Sequence, residues 1–125
     1  MLVVDSSVII AILQEKDAGG ELDAILKRET GLVMSAGTLV ECSLVVERMF
    51  GVDAVKVLHD LIEAWKIMIL PVTYEQAMIA CYAPAKFPSL GYANSFTYAL
   101  AKDKASVVLH RDSAFTETDL LLFED

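Results

Sequence analysis

A chain of 125 residues that is 55% hydrophobic, with mean hydropathy +0.50, forms one domain with a full core and calls for sheet strands covered on both faces. No apolar run approaches the ~20 residues that cross a bilayer, and no basic region precedes the first apolar residues, so neither a membrane span nor a signal peptide is expected. A formal net charge of −8, with pI near 4.6, argues against a general polyanion binder.

The first ten residues, MLVVDSSVII, predict a short buried strand, Leu2–Val4, that stops at Asp5 and turns at once into a helix over Ser6–Gln14. A polar loop with Gly19-Gly20 follows, then a second helix marked by Leu22, Ile25 and Leu26. Leu32–Met34 fits a second strand. Ser35–Thr38 opens a long helix to Phe50-Gly51, with Leu39, Val40, Ser43, Leu44 and Val46 expected inside, and Val52–Trp65 repeats the helical period. Ile67–Val72 reads as the third strand, and Thr73 caps a helix to Tyr82. Ala83–Tyr92, with Pro84, Pro88 and Gly91, reads as a loop; Asn94–Lys104 is helical, Ser106–Leu109 is a fourth strand, and Leu120–Phe123 adds a short edge strand.

Strands alternating with helices predict an α/β fold, a central parallel sheet of four to five short strands sandwiched by helices. Each strand-to-helix junction then falls on one edge, where ligands bind in open α/β sheets. Asp5 ends strand one, Asp112 follows strand four, Glu41 lies in the second turn of the helix after strand two, and Asn94 opens the helix before strand four. Three acids and an amide on one crevice form an oxygen-rich pocket suited to Mg²⁺ or Mn²⁺, with no His or Cys placed for zinc. Such an ion activates water for phosphodiester hydrolysis, so an acidic chain can still act on RNA.

Each residue also has a structural alternative. Asp5 and Asn94 are good N-caps, Thr38-Leu39-Val40-Glu41 matches a capping box, Asp112 suits a turn, and Asp119 with Thr118 suits another. Cys42 and Cys81 lack metal-ligand spacing and read as buried free thiols. His59 reads as a surface or half-buried side chain, and Trp65 and the tyrosines as core or interface residues.

The stretches VVDSSVIIAIL, MSAGTLVECSLVVERMFG, ANSFTYALAK and VVLHRDSAF followed by TETD, in this order, resemble the PIN-domain ribonucleases, in particular the VapC-type toxins of bacterial toxin–antitoxin pairs. The resemblance implies a PIN-like three-layer sandwich and a cytoplasmic, Mg²⁺- or Mn²⁺-dependent endoribonuclease. Asp5, Glu41 and Asp112 match the family's acids, Asn94 stands where the third acid is usual, and Ser7 matches a hydroxyl beside the site. Thr38 and His110 fall behind these ligands. Lys86 and Arg111 are the candidate phosphate contacts, whereas Lys102 and Lys104 read as solvated surface charges. The implied partners are RNA, a small VapB-type antitoxin and a second copy of the chain. Asn94, together with Ala114 where a further acid is common and a thinned basic loop, predicts weakened metal binding and reduced cleavage. The alternative is an impaired PIN domain that binds an antitoxin or RNA. A doubly wound Mg²⁺ phosphatase would want a second Asp at position 7, which is Ser7.

Overall fold

The computed structural model describes residues 1–125. Its four strands are β1 (Leu2–Val4), β2 (Leu32–Ser35), β3 (Met68–Leu70) and β4 (Val107–Leu109). Its six α-helices are α1 (Ser6–Leu13), α2 (Glu21–Arg28), α3 (Ala36–Phe50), α4 (Asp53–Ala64), α5 (Tyr74–Lys86) and α6 (Tyr92–Lys104). All strands run parallel in the order β3-β2-β1-β4, with Leu2 paired to both Leu32 and Val107. Beyond β4 the expected fifth strand is reduced to one bridge, Val108 to Leu122, flanked by hydrogen bonds from Val108 N to Leu121 O and from Phe123 N to Val108 O.

Side chains alternate across a strand, so a sheet covered on both sides needs apolar residues at every position. Leu2, Val4, Leu32, Met34 and Leu109 face one way and pack with Val8 and Ile9 of α1, Leu22, Ile25 and Leu26 of α2, Cys42 and Val46 of α3, and Leu58 and Ile62 of α4. Val3, Val33 and Val108 face the other way, against Leu100 and Ala101 of α6. A smaller cluster of Ala83, Leu90, Tyr98 and Phe115 extends that layer under α5. No helix is long and apolar enough to cross a membrane.

The strand order matters for the site. From β1 the chain moves outward through β2 to β3, then returns to place β4 on the opposite side of β1. The order therefore reverses at β1, and the crevice of such a sheet opens at the carboxyl ends of the strands beside the reversal. Asp5 and Asp112 leave those two ends.

Several expectations are corrected. The segment expected to be a loop from Ala83 is helical to Lys86, with Pro84 inside α5, because Ala83 is buried against its cluster and Phe87 N closes on Ala83 O at 2.8 Å. The connecting loop shrinks to residues 87–91, and Gly91 rather than Asn94 caps α6. Val40 and Leu44 of α3 are exposed, since the inward face of that helix is Thr38, Cys42 and Val46. Cys42 is buried as expected, but Cys81 is exposed on α5.

Candidate active site

Asp5 is the N-cap of α1. Its backbone stays extended at the end of β1, and its Oδ2 accepts from Ser7 N at 3.0 Å. The carboxylate is 1% exposed, and burying such a group is costly unless donors meet it. The second donor comes from α6: Thr97 Oγ1 donates to Asp5 Oδ1 at 2.6 Å. That bond uses the single Thr97 hydroxyl proton, so Thr38 Oγ1, 3.2 Å away, must donate to Thr97 Oγ1. A Thr38–Thr97–Asp5 chain thus ties the starts of α3 and α1 to α6. Thr97 escaped the sequence reading. Its signal was spacing, because it lies three residues after Asn94 and hence on the same helix face.

The capping-box alternative for Glu41 does not form. Ser35 caps α3, accepting from Gly37 N at 3.2 Å, which places Thr38 inside the first turn and Glu41 in the second. Thr38 is spent on Thr97, and the half-buried Glu41 lines the cleft.

Asp112 does take the turn role, and shares it with the site. Its Oδ1 accepts from Ala114 N at 2.9 Å and caps a 3₁₀ turn over Ser113–Glu117, while its Oδ2 accepts from Asn94 Nδ2 at 3.1 Å. His110 sits behind it: His110 Nδ1 accepts from Asp112 N at 3.2 Å, and the imidazole packs on Phe115 at 5.4 Å between ring centres. Ser7 Oγ accepts from Arg111 N at 2.9 Å, which pins the loop after β4 to the first turn of α1.

These residues share one cleft of about 360 Å³, lined among others by Asp5, Ser7, Glu41, Asn94, Arg111 and Asp112. Its walls also carry Gln14 and Lys16 from the end of α1, neither singled out in the sequence. Lys86 and Lys102 instead line a separate groove with Met78, Ile79, Tyr82, Ala83 and Tyr98. Lys102 pairs with Asp119 at 3.0 Å and Lys104 lies 3.9 Å from Asp103, in keeping with surface charges.

The candidate ligands of the cleft can all offer oxygens, the chemistry a hard divalent cation prefers. Asp5, Glu41 and Asp112 supply carboxylates and Asn94 an amide carbonyl, so the donor set fits such an ion. No three acidic, His or Cys side chains stand together as a ready-made cluster. Asn94 turns an N–H onto Asp112. Holding an ion there requires the amide to present its oxygen instead.

Residues 2–121 match the family model of the PIN domain. The chain is 32% identical to Ribonuclease VapC28 of Mycobacterium tuberculosis over 125 residues, covering 94% of this chain and 93% of that one. FitAcB of Neisseria gonorrhoeae superposes with a TM-score of 0.67 at 26% identity, covering 99% of this chain and 97% of the other. Mycobacterium tuberculosis VapC20 superposes with a TM-score of 0.81 over 97% of both chains, at 15% identity a likeness of fold alone.

Proposed function

The chain belongs to the PIN-domain family, and from that premise we propose that it is an endoribonuclease, the toxin half of a toxin–antitoxin pair, with weakened metal binding. One observation carries the proposal. Four side chains far apart in sequence, Asp5, Glu41, Asn94 and Asp112, line a single cleft at the point where the strand order reverses.

Asp5, Glu41 and Asp112 would hold Mg²⁺ or Mn²⁺, with the Asn94 carbonyl as a neutral fourth donor. When bound, the ion supplies a water of lowered pKa and neutralises charge on the phosphate under attack. The chain's own residues do the positioning. Thr97 and Ser7 N fix the Asp5 carboxylate, His110 and Ala114 N fix Asp112, and Ser7 Oγ holds the Arg111 loop over the cleft. Arg111, 3.8 Å from Glu21 and donating from Nη1 to His110 O at 3.2 Å, is the proposed contact for a backbone phosphate. An antitoxin of the VapB type and a second copy of the chain are the proposed protein partners, acting in the cytoplasm. Exposed Val40 and Leu44 on one face of α3, and exposed Tyr92 at the start of α6, supply apolar surface for such contacts.

A second reading, an impaired PIN domain that binds without cutting, is favoured by the Asn94–Asp112 hydrogen bond, which occupies a carboxylate oxygen with a donor instead of a cation. Cleavage of RNA with Mg²⁺ or Mn²⁺ by this chain, by Asn94→Asp and by Asp5→Asn separates the two. Cleavage by this chain that is lost in Asp5→Asn supports the nuclease. Cleavage by Asn94→Asp alone supports the impaired domain, and silence from all three removes the nuclease reading.

A further inference from the structure

Six of the ten Lys and Arg side chains are paired with carboxylates. Of the four outside any ion pair, Lys16 alone lines the acidic cleft. Its position there is built by the backbone. Helix α1 ends in a Schellman turn in which Glu15 N donates to Ile12 O at 3.1 Å and Lys16 N donates to Ala11 O at 2.8 Å. The turn needs a left-handed residue, normally glycine, yet Glu15 takes that conformation with φ 59°. The position after it usually supplies an apolar contact back onto the helix and here supplies an ammonium.

The next residue pins the chain from the other side. Asp17 accepts from Leu22 N at 2.7 Å and from Asp23 N at 3.1 Å, satisfying free donors in the first turn of α2. Lys16 is therefore fixed at its backbone on both flanks while its tip stays exposed at the cleft. Left-handed strain in a non-glycine residue that the surroundings over-determine is a recurring feature of ligand clamps.

The charge balance says what the clamp would hold. Three carboxylates repel a polyanionic strand, and the cations of the cleft wall are Lys16 and Arg111. Arg111 is partly engaged by Glu21, which leaves Lys16 as the free positive charge. A lysine ammonium is a point charge with rotatable donors and suits a phosphodiester oxygen without demanding a set angle.

We propose that Lys16 binds a phosphate of the RNA strand beside the scissile bond and holds that strand across the acidic cleft; this rests on the nuclease reading above. The test is equilibrium binding of a fluorescein-labelled single-stranded RNA of mixed sequence to the chain and to Lys16→Ala, Lys16→Arg and Lys66→Ala, each first checked for unchanged thermal unfolding. Lys66 is a second unpaired cation, and it precedes β3 at the opposite end of the strands, in a separate pocket with Leu26, Gly31 and Leu32. Lys16→Ala is expected to weaken binding about five- to tenfold and to reduce the salt slope by about 0.7, the loss of one single-strand phosphate contact. Lys16→Arg should restore binding and Lys66→Ala should leave it within about twofold. In the cleavage reaction Lys16→Ala should raise KM with little change in kcat. Unchanged binding and slope in Lys16→Ala, or an equal loss in Lys66→Ala, overturns the assignment while leaving the nuclease reading in place. Absence of RNA binding and cleavage by the unsubstituted chain overturns both.

Discussion

Asn94 decides how charge is shared among the acidic side chains of the cleft. Its N–H donates to Asp112 Oδ2, so an amide and a carboxylate meet without a cation. Asn94→Asp removes the donor and sets two carboxylates against one another. Without divalent ions it should lower stability by about 1–2 kcal/mol. Added Mg²⁺ should restore it, shifting the thermal midpoint of Asn94→Asp well beyond its effect on the unsubstituted chain; equal shifts in calorimetry would show that residue 94 does not govern metal affinity. Thr97 carries the other side of the site. Thr97→Val keeps the shape but strips Asp5 of a donor and leaves the buried Thr38 hydroxyl without its acceptor, a loss of about 1–3 kcal/mol in urea denaturation. Asp5 and Asp112 were legible in the sequence because each follows a strand end, and Glu41 because it lies in the second turn of the helix after β2. Thr97 and Lys16 were not: one acts through another side chain, and the other is placed by a turn whose left-handed residue is not glycine. The cysteines separate by burial alone. Burial, with Asp5 and Glu41 nearby, pushes the Cys42 thiol up to about 12, whereas Cys81 is exposed. A thiol reagent at neutral pH should label one cysteine in the native chain and two in urea.

Helix contacts explain where the pattern of the chain was readable and where it was not. The strands, apolar at nearly every position, and the helices α1, α2 and α4, with their regular apolar faces, were readable from local sequence. Helix α3 was misread because it is wedged between α1, α4 and α6, so small and polar residues face inward while Val40 and Leu44 face solvent. The α3–α6 contact depends on Gly37. A β-carbon there would overlap Cδ1 and Cγ of the Phe96 ring, its inner atoms and not a movable tip. Gly37→Ala should therefore cost about 1–3 kcal/mol despite its better helix propensity, with the Gly37→Ala/Phe96→Ala double variant less destabilised than the sum of the two single changes. Additive losses in chemical denaturation would place the strain elsewhere. Helix α5 was underestimated for a related reason. Pro84 suggests an end, but burial of Ala83 against Leu90, Tyr98 and Phe115 carries the helix another turn. Tertiary burial outweighs a local breaker near a helix terminus, where few hydrogen bonds remain to be lost.

At the scale of the whole molecule, the last residues close the sheet and depend on one ionised group. The chain after β4 turns at Asp119 and returns to bridge Val108. Asp119 accepts from Tyr98 Oη at 2.9 Å and from Lys102 Nζ at 3.0 Å, fastening this return to α6. Burial pushes the Asp119 carboxyl up, but the hydrogen bonds from Lys102 and Tyr98 outweigh it and leave the group below its ordinary 3.8. Burial and the bond to Asp119 push the Tyr98 phenol up to about 12. Asp23 is likewise lowered, by its bonds from Lys27 and Trp65, on the opposite face of the sheet. A carboxyl depressed on folding contributes stability that is full above its unfolded value and lost as pH falls through its folded value; a phenol raised on folding contributes stability that is full below its unfolded value near 10 and lost as pH rises toward 12. The urea midpoint should therefore be flat between about pH 5 and pH 8 and fall on both sides, as Asp119 and Asp23 take up protons in acid and as Cys42 and then Tyr98, both raised on folding, give up theirs in base. Asp119→Asn keeps an acceptor for Tyr98 but removes the ion pair with Lys102. It should lower the plateau slightly, and it should shrink the acid limb to the part carried by Asp23 and the remaining carboxylates. An acid limb unchanged by Asp119→Asn would mean that the C-terminal return is held by the Leu121–Val108–Phe123 hydrogen bonds and its apolar contacts, with the Asp119 ion pair incidental.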